Sequence, residues 1–186
     1  MWYNCGMKIK VFLAVLACKC CRSLIRFLGR GGTDFPGRVA LKICPNLLGE
    51  LAKGVTTVIV TGTNGKTTTT SMCTHILMAA ERDPTVMIGG TLPLLHAGHR
   101  VGGGDTIILE SCEYHDSFLY FCPTIAVILD IEADHLDYFS DLEDVKRSFR
   151  EFAAKVPERG KIVANIDDRN TMDALAPLGR ELFTFG

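Results

Sequence analysis

A chain of 186 residues with 47% hydrophobic and 22% charged residues can bury one good domain and carry a short appendage, and its formal net charge of −1 gives no ground for a nucleic-acid partner. The charge is unevenly spread. Residues 1–55 hold nine Lys/Arg against Asp34 and Glu50, while the rest hold eleven against nineteen acids. Such a basic N-terminus favours an acidic partner or weak contact with an anionic membrane surface, or else packs as a solvated basic helix.

In chain order, residues 8–28 predict a helix with apolar positions Phe12, Val15, Leu16, Cys20, Leu24, Phe27 and Leu28. Within it, Val11 to Cys18 is too short to span a bilayer, which takes about 20 apolar residues. The cations Lys19, Arg22 and Arg26 follow at once, against an export signal. Gly29-Arg30-Gly31-Gly32-Thr33 reads as a breaker loop and Pro36-Gly37 as a second turn. A second helical tract over 38–53 is interrupted by Pro45. The expected organisation is a basic, mainly helical segment over 1–54 and an α/β domain over 55–186.

That domain opens with Val58-Ile59-Val60, a buried strand, then Thr61-Gly62-Thr63-Asn64-Gly65, then Lys66 and the threonines Thr67 to Thr70 opening a helix. Strand, glycine turn, lysine and helix N-terminus in that order form a phosphate cradle. Glycines let backbone N–H groups approach an anion, and the helix N-terminus adds a positive dipole end. Gly62, Thr63, Asn64, Gly65, Lys66, Thr67 and Thr68 are the expected nucleotide contacts. Lys66 would reach the outer phosphates of ATP and the Thr67 hydroxyl would ligate Mg²⁺. Val60 stands where the general phosphate-loop pattern has its first glycine.

After the helix over 67–81, strands are expected at Thr85–Ile88, ending in Gly89-Gly90, and at Thr106–Leu109, Ile125–Leu129, Ile162–Ala164 and Leu182–Phe185. Helical tracts fall at 116–121, 141–156 and 170–178. Unbroken apolar strands alternating with helices predict a mostly parallel sheet with helices on both faces. Ligands then bind at the carboxyl ends of strands. Glu110 sits at one such end, and His135 comes after another, within Asp130-Ile131-Glu132-Ala133-Asp134-His135. A carboxylate and an imidazole beside a phosphate loop suit Mg²⁺ held between protein and ATP. Asp134 or Asp137 could orient the His135 ring, or both could be solvated loop acids. His75, His96, His99 and His115 lack ligand-like spacing and read as surface or packing residues, His115 being the one that could line the site. The eight cysteines do not form the paired pattern of a zinc ribbon. An ATP-using enzyme works in a reducing compartment, so free, mostly buried thiols are expected.

The form Gly62-Thr63-Asn64-Gly65-Lys66 resembles the Mur ligase and folylpolyglutamate synthetase superfamily, and Thr67-Thr68-Thr69, in place of the Gly-Ser of folate enzymes, resembles its peptidoglycan branch. From about Thr70 to Gly186 the chain resembles the central domain of the alanine-adding Mur ligases. That likeness rests on Asp83-Pro84-Thr85-Val86-Met87-Ile88-Gly89-Gly90, Glu110 to Leu119, Ile131 to Tyr138 and Asn165-Ile166-Asp167-Asp168. Residues 8–70 resemble instead the N-terminus of the Mur-type subunit of lipid II isoglutaminyl synthase, on Gly29 to Thr33, Phe35 to Ala40 and Pro45 to Leu48.

The resemblance implies a cytoplasmic, ATP-dependent carboxylate–amine ligase of peptidoglycan precursor synthesis that works through an acyl phosphate. Its partners would be a UDP-linked muramyl precursor and an amino acid, L-alanine favoured. It implies Lys66, Glu110 and His135 as catalytic residues and Thr67, Glu110 and His135 as Mg²⁺ ligands. Asp130 departs from the family's usual asparagine, with a consequence for metal affinity left open. Residues 148–150, Ser-Phe-Arg, hold no lysine where several Mur ligases carry a carbamylated one, as in the alanine-adding branch. No UDP-sugar domain motif precedes residue 55, and no amino-acid-binding C-terminal domain is visible. The alternatives are a Mur-type subunit of lipid II isoglutaminyl synthase and a truncated nucleotide-binding module without ligase activity; a missing C-terminal domain or a partner subunit could be a further partner.

Overall fold

The computed structural model describes residues 2–28 and 34–186, in two compact units, Met1–Lys53 and Gly54–Gly186. The breaker loop read at 29–33 lies outside the described residues. In the first unit, helices α1 (Trp2–Phe27), α2 (Asp34–Ile43) and α3 (Leu47–Leu51) close on Ala14, Ala40, Cys44 and Leu47, with Val11, Val15, Cys18 and Leu41 packed around them. The small Ala14 and Ala40 let the helices approach closely. Pro36-Gly37 is not a turn. It lies in the first turn of α2, where the missing proline N–H would have had no intrahelical partner anyway. Pro45 does break the tract, between α2 and α3. Among the described residues, no helix is long and apolar enough to cross a membrane.

The second unit is a seven-stranded sheet built from β1 (Thr56–Thr61), β2 (Thr85–Leu92), β3 (Ala97–Arg100), β4 (Thr106–Glu110), β5 (Ile125–Ile128), β6 (Lys161–Asn165) and β7 (Phe183–Phe185). The strand order is β3-β2-β4-β1-β5-β6-β7, parallel except for β3 against β2. Side chains alternate between faces along each strand. On one face Ile59, Leu109, Ile128 and Ile162 pack with Phe149 and Phe152 of α5 (Leu142–Ala154) and with Ala174 and Leu175 of α6 (Arg169–Leu175). On the other, Val86, Ile88 and Ile108 pack with Cys73 and Leu77 of α4 (Lys66–Ala79). This is the mostly parallel α/β sheet that the apolar runs predict.

Three details differ. β2 runs through Gly89-Gly90 to Leu92, and a 3-10 turn at Pro93–Leu95 returns the chain as β3. Ala97-Gly98-His99-Arg100 has no β-branched residue to announce a strand; pairing with β2 makes it one. The tract expected at 116–121 is a 3-10 segment, Tyr114–Tyr120, kinked by positive φ at His115 and Asp116. The described cysteines are free, as expected, but only Cys44 among them is buried; the others are half-buried or exposed.

Candidate functional site

The carboxyl end of β1 feeds a loop whose shape depends on two glycines. Gly62 has φ of +137°, and a Cβ there would stand 2.8 Å from Asp130 Oδ1 and 3.0 Å from Leu129 Cβ. Gly65, at φ +78°, caps the N-terminus of α4. A side chain is strained at either angle, so the turn into the helix depends on glycine. The first turn of α4 leaves its N–H groups without intrahelical acceptors and directs them at the loop mouth. Thr67 and Thr68 lie exposed on that turn. The Lys66 ammonium folds back and donates to the carbonyls of Gly62 (2.6 Å) and Thr63 (3.1 Å).

The loop is strapped to the segment after β5. Asn64 N–H donates to Asp130 Oδ1 (2.8 Å), its amide to Asp130 Oδ2 (3.0 Å), and Glu132 N–H donates to Thr63 Oγ1 (2.9 Å). Asp130, whose effect on metal affinity the sequence leaves open, spends both oxygens on Asn64. It braces the loop.

β4 and β5 flank β1 on either side, so the segments leaving their carboxyl ends reach the same mouth. At the end of β4 the Thr67 hydroxyl donates to Glu110 Oε1 at 3.3 Å, while Glu110 Oε2 is buried without a hydrogen-bond partner. Gly89 on β2 makes room for this carboxylate: a Cβ there would stand 2.1 Å from Oε1. Two carboxylate oxygens and a hydroxyl at a phosphate loop, one oxygen an orphan, form a donor set suited to a hard cation.

His135 keeps different company. Its Nε2 lies 3.6 Å from Cys112 Sγ, 3.9 Å from Glu113 Oε1 and 3.8 Å from Asp134 Oδ2. Its ring stacks on Tyr114 at 4.4 Å between centroids. Ligand atoms of Cys112, Glu113 and His135 all lie within 4.8 Å of one another. Glu110 is not in that group. The structure therefore sets Thr67 with Glu110, and His135 with Cys112 and Glu113.

Sequence reading missed Glu113. It is 1% exposed, its Oε2 has no hydrogen bond, and Lys66 Nζ stands 4.0 Å away. Its signal was a second acid three residues past Glu110, but once β4 ends nothing local says which acid turns inward. Of the two flanking acids, Asp134 approaches the imidazole and also accepts the His135 N–H at 2.7 Å. Asp137 instead accepts the Tyr114 hydroxyl at 2.6 Å. That bond raises the tyrosine pKa above its usual range and holds the Asp137 carboxyl below its own. Burial pushes the Cys112 thiol pKa up.

His115 packs 4.2 Å from Tyr114 and 4.6 Å from Tyr138, as part of an aromatic wall beside the site. Ser148, in the region where a lysine was sought, donates to Asp116, which also accepts the Tyr138 hydroxyl at 2.6 Å.

Comparison with known proteins agrees with this fold. The family model for the Mur ligase middle domain matches residues 60–186. UDP-N-acetylmuramate–L-alanine ligase of Clostridium perfringens is 43% identical over 140 residues, covering 75% of this chain and 31% of that protein. The enzyme of the same name from Acetivibrio thermocellus is 47% identical over 141 residues, covering 75% and 30%. The chain thus spans about a third of the length of the curated relatives it matches. Among solved structures, UDP-N-acetylmuramate:L-alanyl-gamma-D-glutamyl-meso-diaminopimelate ligase from Neisseria meningitides is 28% identical. It superposes with a TM-score of 0.65, over 75% of this chain and 48% of that one. UDP-N-acetylmuramate-alanine ligase of Thermotoga maritima, 24% identical with a TM-score of 0.59 over 77% and 35%, shares the fold.

Proposed function

This chain belongs to the Mur ligase family, matched through its middle domain, and from that premise we propose that residues 54–186 carry the ATP-binding and phosphoryl-transfer half of a peptidoglycan-precursor ligase. The favoured substrates are UDP-N-acetylmuramate and L-alanine, the pair in the names of the relatives at 43–47% identity. The observation that carries the reading is the β1–loop–α4 cradle with Lys66, Thr67 and Glu110 at one mouth.

In the proposed reaction the substrate carboxylate oxygen attacks the terminal phosphorus of ATP. The bond to the bridging oxygen breaks, and ADP leaves an acyl phosphate. The amine of alanine then attacks the acyl carbon, phosphate departs with the C–O bond electrons, and the nitrogen gives up a proton. Backbone N–H groups of the first turn of α4 hold the phosphates. Lys66, released from the Gly62 and Thr63 carbonyls by the stronger pull of a phosphate, steadies charge on the transferred group. Asp130 keeps Asn64 and the loop in the shape that admits the phosphates.

Mg²⁺ fits Thr67 and Glu110, whose orphaned Oε2 lacks a partner, with His135 as a third candidate. When bound there, it would neutralise charge on the phosphates.

The test is phosphate release from ATP with UDP-N-acetylmuramate and alanine each present or omitted, with mass spectrometry for the joined product. Release that depends on the muramyl carboxylate supports the reading; nucleotide binding that neither substrate affects favours a module without ligase activity. That second reading draws on the chain's spanning about a third of its relatives' length.

Gly89→Ala should separate metal binding from folding. The new methyl meets the flexible end of Glu110, so stability should change by less than about 1 kcal/mol, read from urea unfolding. The displaced carboxylate should weaken Mg²⁺ affinity on the order of 10- to 100-fold, read by calorimetry. Unchanged Mg²⁺ affinity would remove Glu110 from the ligand set.

A further inference from the structure

We propose that Cys112, Glu113 and His135 form a binding site for a thiophilic divalent ion such as Zn²⁺, distinct in its donor set from the oxygen ligands Thr67 and Glu110. The donor chemistry is the first argument. A thiol, a carboxylate and an imidazole are the three ligand types that four-coordinate zinc takes from proteins, and three protein ligands with one open position are a recurrent arrangement. A hard ion such as Mg²⁺ has no use for a sulfur.

The spacing is the second argument. Around a tetrahedral ion with Zn–S of about 2.3 Å and Zn–N of about 2.0–2.1 Å, the sulfur and nitrogen lie roughly 3.6 Å apart, and the nitrogen and a carboxylate oxygen roughly 3.4 Å. Cys112 Sγ and His135 Nε2 are 3.6 Å apart, and His135 Nε2 and Glu113 Oε1 are 3.9 Å apart. Both distances to the imidazole are close to those values, and all three ligand atoms lie within 4.8 Å of one another.

The third argument is Glu113 itself. Its side chain is 2% exposed, and its buried Oε2 has no hydrogen-bond partner. Lys66 Nζ, 4.0 Å away, pairs its charge but is beyond hydrogen-bond reach. A buried carboxylate oxygen without a hydrogen bond is costly, and a coordinated cation would satisfy it.

The site is held from outside. Tyr114 stacks on the His135 ring, its own hydroxyl is fixed by Asp137, and its backbone N–H points at Cys112 Sγ at 3.5 Å. On binding, Cys112 releases its thiol proton to solvent, His135 ligates as neutral imidazole through Nε2, and water takes the fourth position. An ion held here takes His135 away from the nucleotide-bound cation; that consequence, unlike the binding itself, rests on the ligase reading.

The experiment is a Co²⁺ titration of the full 186-residue chain, read by the thiolate-to-cobalt charge-transfer absorption and the intense d–d bands of four-coordinate Co²⁺. The wild type should take up one equivalent with both features. Cys112→Ser should lose the charge-transfer band and bind on the order of a hundredfold more weakly. A variant with Cys18, Cys20 and Cys21 all changed to serine should keep the band, which separates this site from the cysteines of α1. Glu113→Gln, checked for fold by circular dichroism, should weaken binding while retaining the sulfur band. A wild type without the band, a band that survives Cys112→Ser, or one lost with the α1 cysteines overturns the site. Zn²⁺ should also lower nucleotide affinity in the wild type and not in Cys112→Ser. A bound ion with unchanged nucleotide affinity overturns the sharing of His135 and leaves the metal site standing.

Discussion

Lys66→Ala should lower ATP-dependent turnover on the order of 10²- to 10³-fold. Lys66 is the cation whose ammonium reaches into the loop, hydrogen-bonded to Gly62 and Thr63 carbonyls at 2.6 and 3.1 Å. In the proposed reaction it faces the phosphoryl group as charge moves onto the leaving oxygen. A preorganised donor aimed at developing charge contributes about 2.7–4 kcal/mol when removed singly, and nothing else on the loop replaces a full positive charge. The fold should tolerate the change, since Lys66 is half-buried at the surface end of α4 and alanine is the best helix former. Turnover is read by phosphate release, and nucleotide affinity by calorimetry in parallel. The affinity should fall as well, because the loop would hold the phosphates with N–H dipoles alone. Wild-type affinity and turnover in Lys66→Ala would sink the phosphate-cradle assignment.

The second large effect is on stability. Phe118→Ala should cost about 3–5 kcal/mol, a large share of the roughly 5–15 kcal/mol that holds a domain folded. Phe118 is fully buried. Its ring lies parallel to Phe152 at 4.7 Å and edge-on to Phe149 at 5.2 Å, both on α5. Removing it opens a cavity between α5 and the sheet that rigid neighbours cannot fill. Phe118 also anchors the Tyr114–Tyr120 segment, which begins one residue after Glu113. The loss should therefore loosen the Glu113–His135 region before the strands. Urea unfolding followed by circular dichroism measures the first effect, and hydrogen exchange around residues 112–120 the second. A loss below about 1 kcal/mol would mean that α5 closes the gap by moving, and that the segment is not held by this ring.

What the sequence determined by itself is whatever local chemistry controls. Val58-Ile59-Val60, Ile107-Ile108-Leu109 and Ile125 to Ile128 are apolar and β-branched enough to be strands in almost any surroundings, and their lack of alternation announces a sheet covered on both faces. The glycines and lysine between β1 and α4 announce the cradle, because backbone geometry at Gly62 and Gly65 admits few other residues. Tertiary structure decided the rest. β3 exists only because β2 offers it an edge, and Pro36 sits inside a helix only because it falls in the first turn. Past the end of a strand, periodicity no longer says where a side chain points. Asp130 turned to Asn64, 66 residues away; Glu113 turned inward beside Cys112 and His135, while Glu110 turned to Thr67. Each of those directions is set by contacts between residues far apart in the chain, which become neighbours only when β4 and β5 pair on either side of β1.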